Sequence, residues 1–184
     1  RRRWNQVTSS RSSRRHLRSD AVTDPVTTGG FTTEGLAAQA AALTLTRFDA
    51  ADALALGRLA TDRAIAASLP MVVEVWRLGR LAYRAVLPGG PVESDSWLER
   101  KRRVVERFET STMAMRVRYE ERGTTFEAAT GLSVQDYAAH GGGFPIVVDG
   151  VGIVGGFYAS GLPQVDDHEF LVACLQSHKD RGAA

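Results

Sequence analysis

The chain is poor in several things at once. It holds one cysteine, Cys174, among 184 residues. That excludes an intramolecular disulfide and a zinc cage built mainly of cysteines. No apolar run approaches the roughly 18 residues of a membrane helix, so a transmembrane role is excluded. Lysine is scarce, two residues against 21 arginines, a bias that fits a GC-rich coding sequence. No internal repeat is visible, and the Gly-x-Ser-x-Gly nucleophile pattern is absent. Residues 1–18 contain no acid, yet they hold seven arginines: Arg1, Arg2, Arg3, Arg11, Arg14, Arg15 and Arg18. The remainder carries 16 bases against 21 acids, so the pI of 9.0 belongs to this tail and not to a basic domain face.

A segment rich in Arg and Ser and poor in apolar side chains cannot offset its ordering entropy. Residues 1–33 are therefore expected to form a disordered tail and linker. Three readings stand for the tail: a nucleic-acid arm, a transit peptide, or upstream sequence outside the function, from a mis-set start. The last is preferred, so nucleic acid is not the expected partner and neither is a membrane. A secretory signal is excluded, because no apolar stretch of about 7–15 residues follows the charges. The expected location is the cytoplasm.

What is present suits one domain. Hydrophobic residues make up 43% of the chain, enough for a real core at this length. The domain is expected over 34–179, with 180–184 a C-terminal tail. Leu43-Thr44-Leu45-Thr46 alternates like a short strand. Asp49 caps a helix with Asp52 in its first turn. Met71 to Trp76 and Leu81 to Leu87 read as a hairpin about Leu78-Gly79. Helices follow from Ser94 to Phe108 and from Ser111 to Glu121. His140 to Pro145 reads as a loop. Ile146-Val147-Val148, Asp149-Gly150 and Val151 to Ala159 form a second hairpin, and a last helix runs to Ser177. The predicted class is α+β, a five-stranded antiparallel sheet with packed helices. Residues 150–155 match Gly-x-Gly-x-x-Gly, but inside a hairpin, which excludes a dinucleotide fingerprint.

Three segments together carry a resemblance. They are Trp97-Leu98-Glu99-Arg100-Lys101-Arg102-Arg103-Val104, then Ala139-His140-Gly141-Gly142-Gly143-Phe144-Pro145, then Ser160-Gly161-Leu162-Pro163-Gln164 with Asp166, Asp167 and His168. With this spacing, residues 40–177 resemble a branch of the GlcG/HbpS-like group, often labelled heme-degrading domain proteins. The resemblance implies a profilin-like fold and homo-oligomers, from dimers to rings of dimers. Relatives in the wider group bind heme or accompany small-acid or cobalamin metabolism.

The residues point to one candidate site. His140 precedes three glycines, so its ring is expected beside accessible backbone. A neutral imidazole could ligate heme iron, and Gly141, Gly142 and Gly143 could expose N–H groups as an anion nest. The alternative is a histidine that ties the loop to neighbouring backbone. Four consecutive bases, Arg100 to Arg103, must fan around their helix. Arg100 or Lys101 is expected to point toward the sheet or a subunit neighbour and could meet a carboxylate or propionate. The alternative is a solvated face paired with Glu99 and Glu106. Trp97 could line a flat cofactor or simply pack. His140 and His168 are the candidate metal ligands if the fold brings them together, while Asp167 reads as first-turn charge. The leading functional reading is an oligomeric binding protein for a small anion or heme. An enzyme acting on a small acid or heme, with His140 as acid/base, and a scaffold without a small ligand stand beside it.

Overall fold

The computed structural model describes residues 28–182. The expected disorder of the arginine-rich tail falls almost wholly outside them. The chain runs α1 (Thr33–Ala42), α2 (Ala50–Ala66), β1 (Val72–Arg77), β2 (Arg80–Val86), α3 (Ser94–Phe108), α4 (Thr112–Glu120), α5 (Phe126–Thr130), β3 (Gly143–Val148), β4 (Gly152–Ser160) and α6 (Gln164–Gly182). Among the described residues no helix is long and apolar enough to cross a membrane. α1 starts inside the segment read as linker, and α6 continues through residues 180–182.

Local chemistry sets the boundaries. At α2, Asp49 accepts from the Ala51 and Asp52 N–H groups at 2.8 and 3.0 Å, and Asp52 accepts from the Asp49 N–H at 2.9 Å. This reciprocal pair is a capping box. Leu78 and Gly79 both take positive φ, 48° and 72°, which matches the twist of a tight hairpin.

The sheet has four antiparallel strands in the order β2-β1-β4-β3. The five-strand expectation is corrected here. Leu43–Thr46 makes a single bridge, Leu45 to Val148, and that bridge is parallel. Leu43 is taken up in capping α1 through its N–H, and Leu45 alone pairs, its N–H donating to Val147 O. The loop expected through Pro145 also gives way to strand at Gly143. β3 lies at the sheet edge, where a proline lacking its N–H is tolerated.

Alternation along β1 and β4 divides the core in two. Met71, Val73, Val75, Phe157 and Ala159 face a cluster with Leu56 and Ala60 of α2 and Leu171 and Leu175 of α6. Val72, Trp76 and Tyr158 face Leu98 and Val105 of α3. Helices thus cover both faces of the sheet, an α+β layering. The inner strands bury both faces, and the second face meets the helix that carries the basic run.

Candidate functional site

Ser94, Trp97 and Lys101 of α3 fall on one stripe, spaced three and four residues apart. Beside them run His140 and Gly141, and the Ser160–Gln164 turn that opens α6. Together these enclose a hollow of about 450 Å³, which Pro91, Leu162 and Asp167 also line.

The four consecutive bases separate by direction. Arg102 pairs with Glu106 at 2.7 Å and lies over the Trp76 ring. Arg103 holds Glu99 at 2.5 Å and Asp136 at 2.8 Å. Arg100 sits 4.0 Å from the Trp97 ring centroid and donates to Val134 O at 3.0 Å; it does not line the hollow. Lys101 alone turns inward, with 2% of its surface exposed. Its Nζ donates to Ala159 O at 2.8 Å and to Asp167 Oδ2 at 2.9 Å. Asp167 Oδ1 accepts from the Leu162 N–H at 3.2 Å. Burial pushes the Lys101 ammonium down and the Asp167 carboxyl up, against their mutual attraction. Among the described residues the ammonium donates to two acceptors, which leaves a third proton that a guest in the hollow could meet.

His140 packs edge-on to Trp97, with centroids 5.1 Å apart. Burial, then the charges of Arg116 and Lys101, lower its pKa to about 4. The ring is therefore neutral at pH 7. Arg116 Nη1 lies 3.3 Å from Nε2. A guanidinium only donates, so Nε2 accepts and Nδ1 carries the proton. Nδ1 is buried and has no hydrogen-bond partner among the described residues.

The three glycines are there for close approach. A Cβ on Gly141 would come 1.9 Å from Gln164 O, and one on Gly142 would meet Ala159 O at 2.4 Å and Lys101 Nζ at 2.5 Å. Gly142 also holds φ +108°, which favours glycine. Two of the N–H groups expected in an anion nest are already used. Gly141 donates to Gln164 Oε1 at 3.3 Å and Gly143 to Thr112 Oγ1 at 3.0 Å.

His168 lies elsewhere. It is fully buried, its Nε2 bonds Gln39 Oε1 at 2.8 Å, and its ring meets Phe31 and Phe144. It does not line the hollow that His140 lines. Among the described residues no group of three or more His, Cys, Asp or Glu side chains could hold a metal ion.

Sequence reasoning missed one participant of the site and one buried acid outside the hollow. Asp167 reads as dipole-favoured first-turn charge, and only the fold makes it the partner of Lys101. Glu74 is 6% exposed on the α3 face of β1; it accepts from Trp76 Nε1 at 2.8 Å and from Arg84, which also reaches Asp95. The signal was there, an acid set among Val72, Val73, Val75 and Trp76 in a strand that must bury both faces.

Comparison with known proteins places this geometry in a family. Residues 48–176 match the family described as haem degrading protein HbpS-like. A UPF0303 protein of Streptomyces avermitilis is 44% identical over 146 residues, 79% of this chain and 90% of the relative. The crystal structure of the Ybr137w protein superposes with a TM-score of 0.76 at 24% identity, over 84% of this chain and 91% of that one. The structure of a PduOC:heme complex does so at 0.56 and 21%, over 69% and 94%. The two structural likenesses are likenesses of fold. Trp97, Lys101, His140 and Asp167 all lie inside the matched segment, and on that match and the identity of its relative the chain belongs to the family described as haem degrading protein HbpS-like.

Proposed function

We propose that the protein binds a small ligand bearing a carboxylate on a flat apolar body, held in the hollow by Trp97, His140 and Lys101. The observation that carries this reading is convergence. An aromatic wall, a neutral imidazole and a buried ammonium with one unused proton meet in one solvent-reachable space. Burial makes a charge-assisted bond to that ammonium strong. Arg116, Lys101 and Arg100 act on His140 against Glu127, and since Glu93 and Asp167 also line the hollow, the anion preference rests on the Lys101 ammonium.

Heme is the guest that the family and the PduOC complex bring forward. Its propionates are carboxylates and its macrocycle is flat, so Trp97 and Lys101 suit it. Iron ligation through His140 does not fit the donor set. Nε2 accepts from Arg116, and Nδ1 carries the proton and is sealed from solvent. A heme-related role here rests on the hollow's walls and not on the imidazole.

Calorimetric titration with phenylacetate and optical titration with hemin test the reading. Phenylacetate should bind saturably, and Trp97→Ala should weaken it about tenfold, as expected for a lost aromatic wall of roughly 1–2 kcal/mol. Any hemin absorbance should survive His140→Ala. A sharp Soret band that this variant abolishes would overturn the non-ligating account. No binding of either probe by a correctly assembled protein would leave the scaffold reading.

We also infer assembly into a homo-oligomer. Strand β2 lies at the sheet edge, with Leu81 46% and Val86 62% exposed. An uncovered strand edge with apolar side chains is a template for pairing with a second copy.

A further inference from the structure

A second hollow, of about 250 Å³, lies at the other end of α3, and the reading above makes no use of it. Its floor is the sheet at Trp76, Gly155, Gly156 and Tyr158, and its wall is Val105, Glu106 and Glu109 of the last turn and cap of α3. Leu78 and Ile153, exposed by 63% and 40%, stand on its rim.

Tyr158 is the unexpected member. The residue is 2% exposed, and no hydrogen bond joins its hydroxyl to another of the described residues. The ring lies along the strand over Gly156, where a Cβ would come 2.1 Å from the hydroxyl oxygen. Burial, then the charge of Glu106, push its pKa up, so the hydroxyl stays protonated. The hydroxyl oxygen is not among the described atoms that are both sealed from solvent and unpartnered, and Tyr158 lines the hollow, which is where the hydroxyl can meet a guest.

The charges around it are mixed, with Glu106 and Glu74 acting on the hydroxyl against Arg102. Arg102 neutralises Glu106 at 2.7 Å and covers one face of Trp76, centroid distance 4.5 Å. Glu109 is exposed and has no ion-pair partner among the described residues. It caps α3 in the left-handed conformation, φ 55°, at the helix end where the macrodipole is negative. The hollow thus offers an uncompensated carboxylate, a negative helix end, a hydroxyl able to accept, and walls of Trp76, Val105 and Ile153.

We infer that this second hollow binds an alkylammonium group on an apolar stem, the ammonium between Glu109 and the Tyr158 hydroxyl and the stem along Trp76 and Val105. Either a small amine or a lysine side chain presents that chemistry. The site shares no lining residue with the His140 hollow, so either proposal stands or falls alone.

The test uses the full chain with Trp4→Phe and Trp97→Phe, which leaves Trp76 as the sole tryptophan of three. Its emission is followed during titration with n-hexylammonium chloride, n-hexanol, hexanoate and N-acetyl-lysine amide. A saturable change is expected with the ammonium, and none with hexanoate. Glu109→Gln, an exposed change that leaves the core intact, should weaken binding about threefold to fivefold, as for a solvent-facing ion pair. Tyr158→Phe should weaken it further at an unchanged thermal midpoint. Tighter binding of the lysine amide than of hexylammonium assigns the site to a basic side chain, and the reverse to a free amine. Equal response to hexanol, or affinity untouched by both substitutions, overturns the inference.

Discussion

Lys101 is the one base of its run withdrawn from water, and its position helps explain the second glycine after His140, Gly142. Gly142 passes within side-chain distance of its Nζ, so the ammonium and the loop can only pack together if that residue has no Cβ. A buried ion pair broken on one side leaves an uncompensated charge at about 3–5 kcal/mol. Lys101→Met and Asp167→Leu should each lower unfolding free energy by about that much, while the double variant recovers most of it. Urea denaturation of the three proteins checks this. His140 and His168 both have folded pKa values near 4, below the unfolded value. The unfolded chain therefore binds more protons between pH 6.5 and 4, and the stability these rings supply is full above pH 6.5 and lost as pH falls through that window. His140→Gln should flatten the loss measured by urea unfolding at pH 7, 5.5 and 4. At this scale the sequence disclosed residue types better than their partners. The fan of bases, with Glu99 and Glu106 as pairs, follows from helical spacing alone. The Lys101–Asp167 bond links residues 66 apart, and no local pattern encodes it. The position of His168 under α1 is hidden for the same reason, since its partner Gln39 is 129 residues away.

Elements were easier to read, because their signals are local. The Asp49 capping box and the Leu78-Gly79 and Asp149-Gly150 turns set boundaries that the fold keeps to within a residue or two. Leu43–Thr46 shows the limit. Alternation announces a surface able to pair, but Leu43 is taken up in capping α1 and Leu45 alone bridges to β3. The Glu74–Arg84–Asp95 set shows how elements are tied. Glu74 and Arg84 are cross-strand partners, and Arg84 reaches on from β2 to α3. Glu74 is buried whereas the Asp95 side chain is 69% exposed. Arg84→Ala should therefore cost about 2–4 kcal/mol by stranding Glu74, and Asp95→Asn less than about 1 kcal/mol. Thermal unfolding of the two variants separates the contributions.

At the scale of the molecule, assembly is the first thing to measure. Leu81→Lys with Val86→Lys places charges on the β2 edge, a change that opposes edge pairing. Light scattering should show a smaller particle than the parent, at an unchanged phenylacetate affinity, and an unchanged mass would remove β2 from the assembly surface. The strand order β2-β1-β4-β3 has a further consequence, for how the chain is made. β1 is paired with β2 as soon as residue 86 has emerged, but its other neighbour is β4, some 70 residues later in synthesis. Until then its inner rim, with Val72, Val73 and Val75 beside it, stays uncovered while α3, α4 and α5 are translated. Closing so distant a pairing is slow, and an unpaired rim in the interval invites other nascent chains. The arrival of Phe157 and Tyr158 seals the early hairpin into the sheet, so the C-terminal quarter of the polypeptide decides whether the first half reaches its native state.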